Sequence, residues 1–461
     1  MTALTATTIQ ELTRDVGGQV VLPHDADYPA ARTIWNAMID KKPALIVRCK
    51  AVSDVVRAVN FARDNGLPLA VRGGGHNIAG NALCDDGLVI DLSAMKAANV
   101  DPSARRVTIE AGATLADLDA ATQAHGLATP VGINSTTGIA GLTLGGGFGW
   151  LSRKFGMTID NLESVEIVTA KGEVLRASAS EHTDLFWALR GGGGNFGVVT
   201  NFEFRLHPVG PNVLSGLIVY PFSEAKSVLR QYREFMEKAP DELSVWTVLR
   251  QAPPLPFLPE AVHGKEVVVL ALLYTGDPDK GQPLIEPLRK FGTPVGEHVG
   301  IQPYAAWQQA FDPLLTPGAR NYWKSHNFSK LSDGLFDAVI EYIEKLPSAQ
   351  CEIFFGAIGG ATTRPAPDSA AYAHRDANFV MNVHGRWDSP SEDAAGIRWA
   401  RDFFKASAPF ASSGVYVNFL TADETDRVKS AYGPNYDRLT KIKRKYDPQN
   451  LFCVNQNISP A

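Results

Sequence analysis

At 461 residues the chain exceeds what one hydrophobic core organises, so two or three domains are expected. With 44 basic against 49 acidic residues and a net charge of −5, nucleic acid and anionic membranes are excluded as main partners. The longest apolar run, Val267–Tyr274, has the length of a strand and falls far short of a membrane span. Met1–Gly18 is polar and lacks the apolar stretch of a secretory signal. Cys49, Cys84, Cys351 and Cys453 lie far apart with no CxxC pair, which argues against a zinc site or a disulfide framework and fits a reducing cytoplasm. No metal is expected, and nothing in the sequence fixes an oligomeric state.

The first part of the chain alternates strand and helix. Ala44–Cys49 reads as an apolar strand, followed by a Ser53-capped helix carrying Val55, Val56, Val59, Phe61 and Ala62 and ending at Gly66. Strands follow at Pro68–Val71, Leu88–Leu92 and Arg106–Ala111, and then a Thr114-capped helix ends at Gly126. Val165–Thr169 and Glu173–Arg176 flank a Lys171-Gly172 turn as a hairpin. A short helix over Thr183–Arg190 precedes a strand over Val198–Leu206. His207-Pro208-Val209-Gly210-Pro211 then breaks the pattern and marks a boundary. Beyond it come longer strands (Leu214–Tyr220, Glu266–Tyr274, Cys351–Ile358, Phe379–Trp387) with helices at Glu224–Lys238 and Asp333–Lys345 and a Pro-rich loop, Pro253–Pro259. This is α+β composition with a largely antiparallel sheet. Lys441, Lys443, Arg444 and Lys445 read as a solvated helix face rather than a binding patch.

Glycine is the anomaly: 41 residues, concentrated in three clusters before residue 200. A Rossmann loop requires strand, glycine turn, then helix, since the helix N-terminus binds the pyrophosphate. Gly191–Gly197 has the reverse order, Gly73–Gly75 leads to another strand, and Gly145–Gly149 follows no strand pattern, so a nicotinamide site is not expected. No GxxxxGK[ST] occurs, which excludes a P-loop. Consecutive glycines after a strand still form a concave nest of N–H groups, and without Cβ atoms a pyrophosphate approaches the main chain. Arg72-Gly73-Gly74-Gly75-His76 has that form, and three such clusters point to a large flat ligand threaded between backbones.

These residues carry a resemblance. Pro68–Gly80 with its Arg72-to-Asn77 core, Gly138–Gly149 followed by Arg153–Asn161, Asp184–Thr200, and the tail Tyr432–Leu439 with Lys443, Tyr446–Asn450 and Asn455–Ile458 resemble, in order, the motifs of berberine bridge enzyme-like flavoproteins. These have the PCMH-type FAD-binding fold of the vanillyl-alcohol-oxidase superfamily. The resemblance runs from about Pro43 to the end and is weakest between 210 and 410. It implies an α+β chain: an FAD-binding domain over 1–208, a substrate domain over 209–413 with an antiparallel sheet covered by helices, and a segment over 414–461 that returns to the FAD domain. It implies FAD contacts from Arg72, Gly73, Gly74, Gly75, Asn77, Gly80, Gly112, Thr136, Thr137, Gly138, Gly141, Gly146, Gly149, Val199 and Asn455, and a covalent bond from His76 to the 8α-methyl of the flavin. Many relatives add a second tether from a cysteine about eleven residues before the middle glycine cluster. Asn134 aligns there and no cysteine is near, so a single tether is expected, as in the branch containing 6-hydroxy-D-nicotine oxidase.

The implied activity is an oxidase that takes hydride from an alcohol, amine or phenol-type small molecule and passes electrons to O2. A dehydrogenase with another acceptor and a non-catalytic flavin carrier are the alternatives. In plant relatives a tyrosine on a late strand is the base, in a motif similar to Val415-Tyr416-Val417-Asn418. Tyr416 is therefore the candidate base, with a pKa that the site must lower from about 10. Glu352, on the strand Cys351–Ile358, is a second candidate, although a core-edge position is favoured for it. Tyr304, Trp307, Phe311 and Tyr322–Ser325 read chiefly as core, with stacking of an aromatic substrate as the other possibility.

Overall fold

The computed structural model describes residues 4–412 and 414–460; Ser413, the expected end of the middle segment, lies outside them. Four strands open the chain: β1 (Gln19–Val21), β2 (Leu45–Arg48), β3 (Leu69–Arg72) and β4 (Leu88–Asp91). They form one sheet in the order β1-β2-β4-β3, with β2, β4 and β3 parallel. Parallel strands must be covered on both faces, and β2 and β4 are almost wholly buried. The helix over Val52–Asp64 starts two residues earlier than a Ser53 cap would allow. Asp54 explains this, since its carboxylate accepts the N–H groups of Gly17 (2.7 Å) and Lys50 (2.9 Å) and steadies the helix start without a capping hydroxyl. Thr114, by contrast, caps Leu115–Gln123 through a reciprocal pair with Asp117.

The next strands are β5 (Ala98–Asp101), β6 (Arg106–Glu110), β7 (Leu127–Ala128), β8 (Leu162–Val168), β9 (Val174–Ser178), β10 (Val198–Arg205) and β11 (His207–Pro208). Five of them make an antiparallel sheet in the order β5-β6-β10-β8-β9, and β7 pairs with β11. The expected hairpin is β8–β9. One large apolar core joins these two sheets to Val415, Val417, Leu420, Tyr432, Leu439, Ile442, Phe452 and Ile458 from the end of the chain. Lys443 also belongs to that junction. Instead of lying on a solvated face it is fully buried, paired with Asp447 (2.7 Å) and donating to the carbonyls of Asn195 (2.8 Å) and Phe452 (2.9 Å). Four residues before Asp447 on one helix, it turns inward, where removal of either partner would leave a buried charge.

The middle of the chain forms a second core around a seven-stranded antiparallel sheet. Its strands are β12 (Asn212–Pro221), β13 (Leu243–Gln251), β14 (Glu266–Tyr274), β15 (Gly296–Pro303), β16 (Arg320–Phe328), β17 (Glu352–Ala357) and β18 (Phe379–Trp387), in the order β15-β12-β14-β13-β17-β18-β16. Helices over Ala225–Met236, Asp333–Ile343 and Asp393–Ser407 pack on one face through buried apolar stripes. No helix among the described residues is long and apolar enough to cross a membrane.

Candidate active site

The other face of that sheet looks onto the glycine-rich segments, and a cavity of about 390 Å³, measured at the centres of water molecules, lies between them. This is the size and composition expected of a small-molecule site. Gly73, Gly74, Gly75, His76 and Asn77 form part of its wall, with Asn134, Thr137, Gly138, Gly141, Gly194, Val199, Asn455 and Gln456. The loops after β3 and before the Ile139–Leu144 helix cross backbone to backbone: a Cβ on Gly74 would lie 2.4 Å from the Gly138 nitrogen. Only glycine permits that approach. The N–H groups of Gly73, Gly74, Gly75 and His76 donate to no acceptor among the described residues. A Cβ on Gly141 or Gly194 would meet no atom within 4 Å, so the backbone there stands bare to the cavity.

Asn455 donates to the carbonyls of Gly194 (3.2 Å) and Phe452 (2.9 Å), while its own buried carbonyl oxygen has no partner. Free N–H groups, bare main chain and an orphaned acceptor are the features that a pyrophosphate and an isoalloxazine ring require, so the residues present fit FAD.

Six of the predicted contacts lie outside that wall. The Arg72 guanidinium donates to the Ala31 carbonyl (2.6 Å). A Cβ on Gly112 would meet the Leu92 carbonyl and one on Gly149 the Val131 carbonyl, while Gly80 packs against the Ile39 side chain and Gly146 against those of Met157, Tyr372 and Tyr416. Thr136 is exposed and does not line the cavity, but its Oγ1 lies 2.9 Å from His76 Nε2. The His76 ring stacks on Trp35 at 5.1 Å between centroids, and burial pushes its pKa down to about 4.

Tyr416 and Glu352 both line the cavity. Tyr416 is not on a strand: Val415 and Tyr416 run as irregular chain into a 3-10 turn over Val417–Phe419. Its phenol oxygen accepts the Gly147 N–H (3.0 Å) and the Asn418 side-chain amide (3.0 Å), and its own proton has no acceptor among the described residues. The expected lowering of its pKa is not found. Burial outweighs the two donors and pushes it up to about 12.

Glu352 faces the cavity and not the core. It stands in a cross-strand row with Arg250 of β13, His384 of β18 and Trp323 of β16. Its carboxylate pairs with Arg250 at 2.7 Å and lies 3.4 Å from His384 Nδ1. Burial alone would raise this carboxyl, but Arg250, His384 and Arg386 outweigh it and hold it below the ordinary carboxylate range. Burial pushes the His384 pKa down, against the pull of the Glu352 carboxylate. Trp323 and Phe311 line the cavity, whereas Tyr304 and Trp307 are core. An aromatic series His76, Trp35, Trp323, His384 runs from the glycine loop to the sheet, the first pair stacked and the next two edge-on, with centroids 5.1, 5.7 and 4.8 Å apart. Trp35, Arg250 and His384 escape sequence reading, since their only signal is position in three dimensions.

A glycine-walled cleft facing an antiparallel sheet, with a stacked histidine and a buried acid–base row, defines an FAD-binding oxidoreductase. Residues 43–178 match the family described as FAD binding domain, and residues 415–459 match berberine and berberine like. The chain is 35% identical to an FAD-linked oxidoreductase of Dictyostelium discoideum over 92% of this chain and 91% of that one. It is 30% identical to (R)-6-hydroxynicotine oxidase of Paenarthrobacter nicotinovorans over 96% and 97%. Among solved structures, 6-hydroxy-D-nicotine oxidase from Arthrobacter nicotinovorans superposes with a TM-score of 0.87 at 29% identity, covering 97% and 98% of the two chains. Xylooligosaccharide oxidase from Myceliophthora thermophila gives 0.85 at 26%, covering 98% and 99%. The chain belongs to the berberine bridge enzyme-like family of FAD-linked oxidoreductases.

Proposed function

We propose that the protein is an FAD-dependent oxidase, carrying its flavin on His76 alone, that removes a hydride and a proton from an alcohol, amine or phenol-type substrate while O2 becomes H2O2. The observation that carries this is the placement of His76 and the Arg250–Glu352–His384 row on one cavity between bare glycine backbone and sheet. Residues 1–208 with 414–461 are assigned to the FAD-binding domain and 209–413 to the substrate domain, in keeping with two large cores that each draw mainly on one of them. FAD held along the cleft would supply a two-electron acceptor.

The protein's own part is binding and proton transfer. Glu352, ionised at neutral pH, accepts the substrate's proton. His384 Nε2 contacts Asn321 Oδ1 at 3.2 Å, an oxygen that Arg386 also donates to. Facing the carboxylate with its Nδ1 at 3.4 Å, His384 helps Arg250 to hold Glu352 in its ionised form. Tyr416 is protonated and serves as a hydrogen-bond donor to the bound molecule, in place of the base role expected from sequence. Phe148, Trp246, Phe354 and Phe419 supply aromatic walls, and Val219, Leu255, Leu258 and Val269 extend them into an apolar annex. A substrate with an apolar or aromatic body suits this surface. Anaerobic bleaching of the flavin across alcohols, amines, phenols and sugars tests the activity, and peroxide formation on readmission of air tests the acceptor. Bleaching without peroxide would make the protein a dehydrogenase. No bleaching by any class would refute the proposal.

A further inference from the structure

We infer that Asn134 and Thr136 form a relay that sets the tautomer of His76 for the covalent attachment proposed above, on which this inference rests. Asn134 Oδ1 accepts the backbone N–H of Thr136 at 3.1 Å and the Thr136 hydroxyl at 2.7 Å. The backbone N–H can only donate, so the amide atom facing it is the oxygen. That oxygen can only accept, so the Thr136 hydroxyl proton points at Asn134. Thr136 Oγ1 stands 2.9 Å from His76 Nε2 with its proton already committed, and it offers that nitrogen a lone pair. The ring proton of His76 therefore sits on Nε2. Burial keeps the ring neutral at pH 7, so it has no second proton, and Nδ1 carries the free lone pair. Stacking on Trp35 fixes the plane in which that lone pair lies.

Nδ1 is the nucleophile this arrangement prepares. Its new bond to the flavin's 8α carbon replaces one methyl C–H bond. The methyl proton and the Nε2 proton leave, and the two electrons of the broken bond pass through the flavin to O2, giving H2O2. Asn134, at the position where many relatives carry a second tethering cysteine, acts here as a positioning residue for the single tether. It reaches His76 only through Thr136.

The test uses full-length protein produced under riboflavin limitation and then given FAD in air. Covalent flavin is followed over time by fluorescence in denaturing gels, and total bound flavin by absorbance before denaturation. Thr136→Ser keeps the hydroxyl, and Asn134→Asp keeps an oxygen that accepts both hydrogens; both should link within about threefold of wild type. Thr136→Val removes the contact, and Asn134→Ala frees the hydroxyl to donate to Nε2, which drives the ring proton to Nδ1. Both should bind as much flavin as wild type but link it about tenfold more slowly, the worth of one hydrogen bond. Linkage by Thr136→Val or Asn134→Ala within twofold of wild type would overturn the inference, as would Asn134→Asp slowed as much as Asn134→Ala. Loss of all flavin from Thr136→Val, while His76→Ala still binds it, would assign Thr136 to cofactor binding and overturn the relay. A wild type that never acquires covalent flavin would instead overturn the underlying reading, and the relay with it.

Discussion

Replacing Glu352 by glutamine changes one charge and almost no volume, so it tests proton acceptance with little disturbance of shape. Glu352 and Arg250 are paired at 2.7 Å with side chains only 11% exposed. Removing one partner of such a pair costs about 3–5 kcal/mol when nothing replaces it. The glutamine oxygen still accepts from Arg250, so the loss should fall below that range and the protein should fold and bind flavin. Flavin reduction should fall by about 10² to 10⁴, the usual worth of a general base. The pH profile gives the sharper test. A carboxyl held below the ordinary range is ionised from about pH 5 upward, so reduction by wild type should be flat from pH 5 to 8. Tyr416, pushed up to about 12, would be ionised in about one molecule in 10⁴ at pH 8, and a rate depending on it would rise tenfold per pH unit. The assay is anaerobic stopped-flow reduction with the best substrate from the bleaching panel. A Glu352→Gln enzyme reduced within threefold of wild type, or a wild-type rate that climbs tenfold per unit, would refute the assignment.

Tyr416→Phe should slow reduction about tenfold, as loss of a donor does, and leave the pH profile flat; it should also lower Tm, since the Gly147 N–H loses its acceptor. A loss beyond 10³ would return the base role to Tyr416. Peptide mapping should find flavin on one fragment, containing His76, and a second flavinylated fragment would contradict the single tether. Asp119 is pushed up to about 7 by burial, against the hydrogen bond from Gln308. A raised folded-state pKa means that its neutral form favours the fold at low pH and that stability is lost as pH rises through about 7. Asp119→Asn should therefore match wild type in Tm at pH 4 and exceed it at pH 8.5, and an equal difference at both would sink the argument.

Much of this site was legible in the sequence because glycine leaves a local trace. The crossing of Gly74 and Gly138 needs glycine wherever it occurs, and the order of the motifs around His76 carries the family resemblance without any knowledge of the sheet. The opposite wall left no such trace. Whether Glu352 faces core or cavity depends on its register against Arg250, about a hundred residues earlier, and His384, about thirty later; a slip of one residue would reverse it. The burial of Lys443 and the direction of the Tyr416 shift have the same origin. Both follow from what packs around a side chain, and composition records only that it is basic or phenolic.

The central claim is that His76 holds the flavin by a covalent bond. The most direct measurement is the intact mass of the denatured protein, compared between wild type and His76→Ala. Wild type should be heavier than its chain by one FAD and His76→Ala should have the mass of the bare chain. A wild type at the bare mass, with its flavin wholly released on denaturation, would contradict the account.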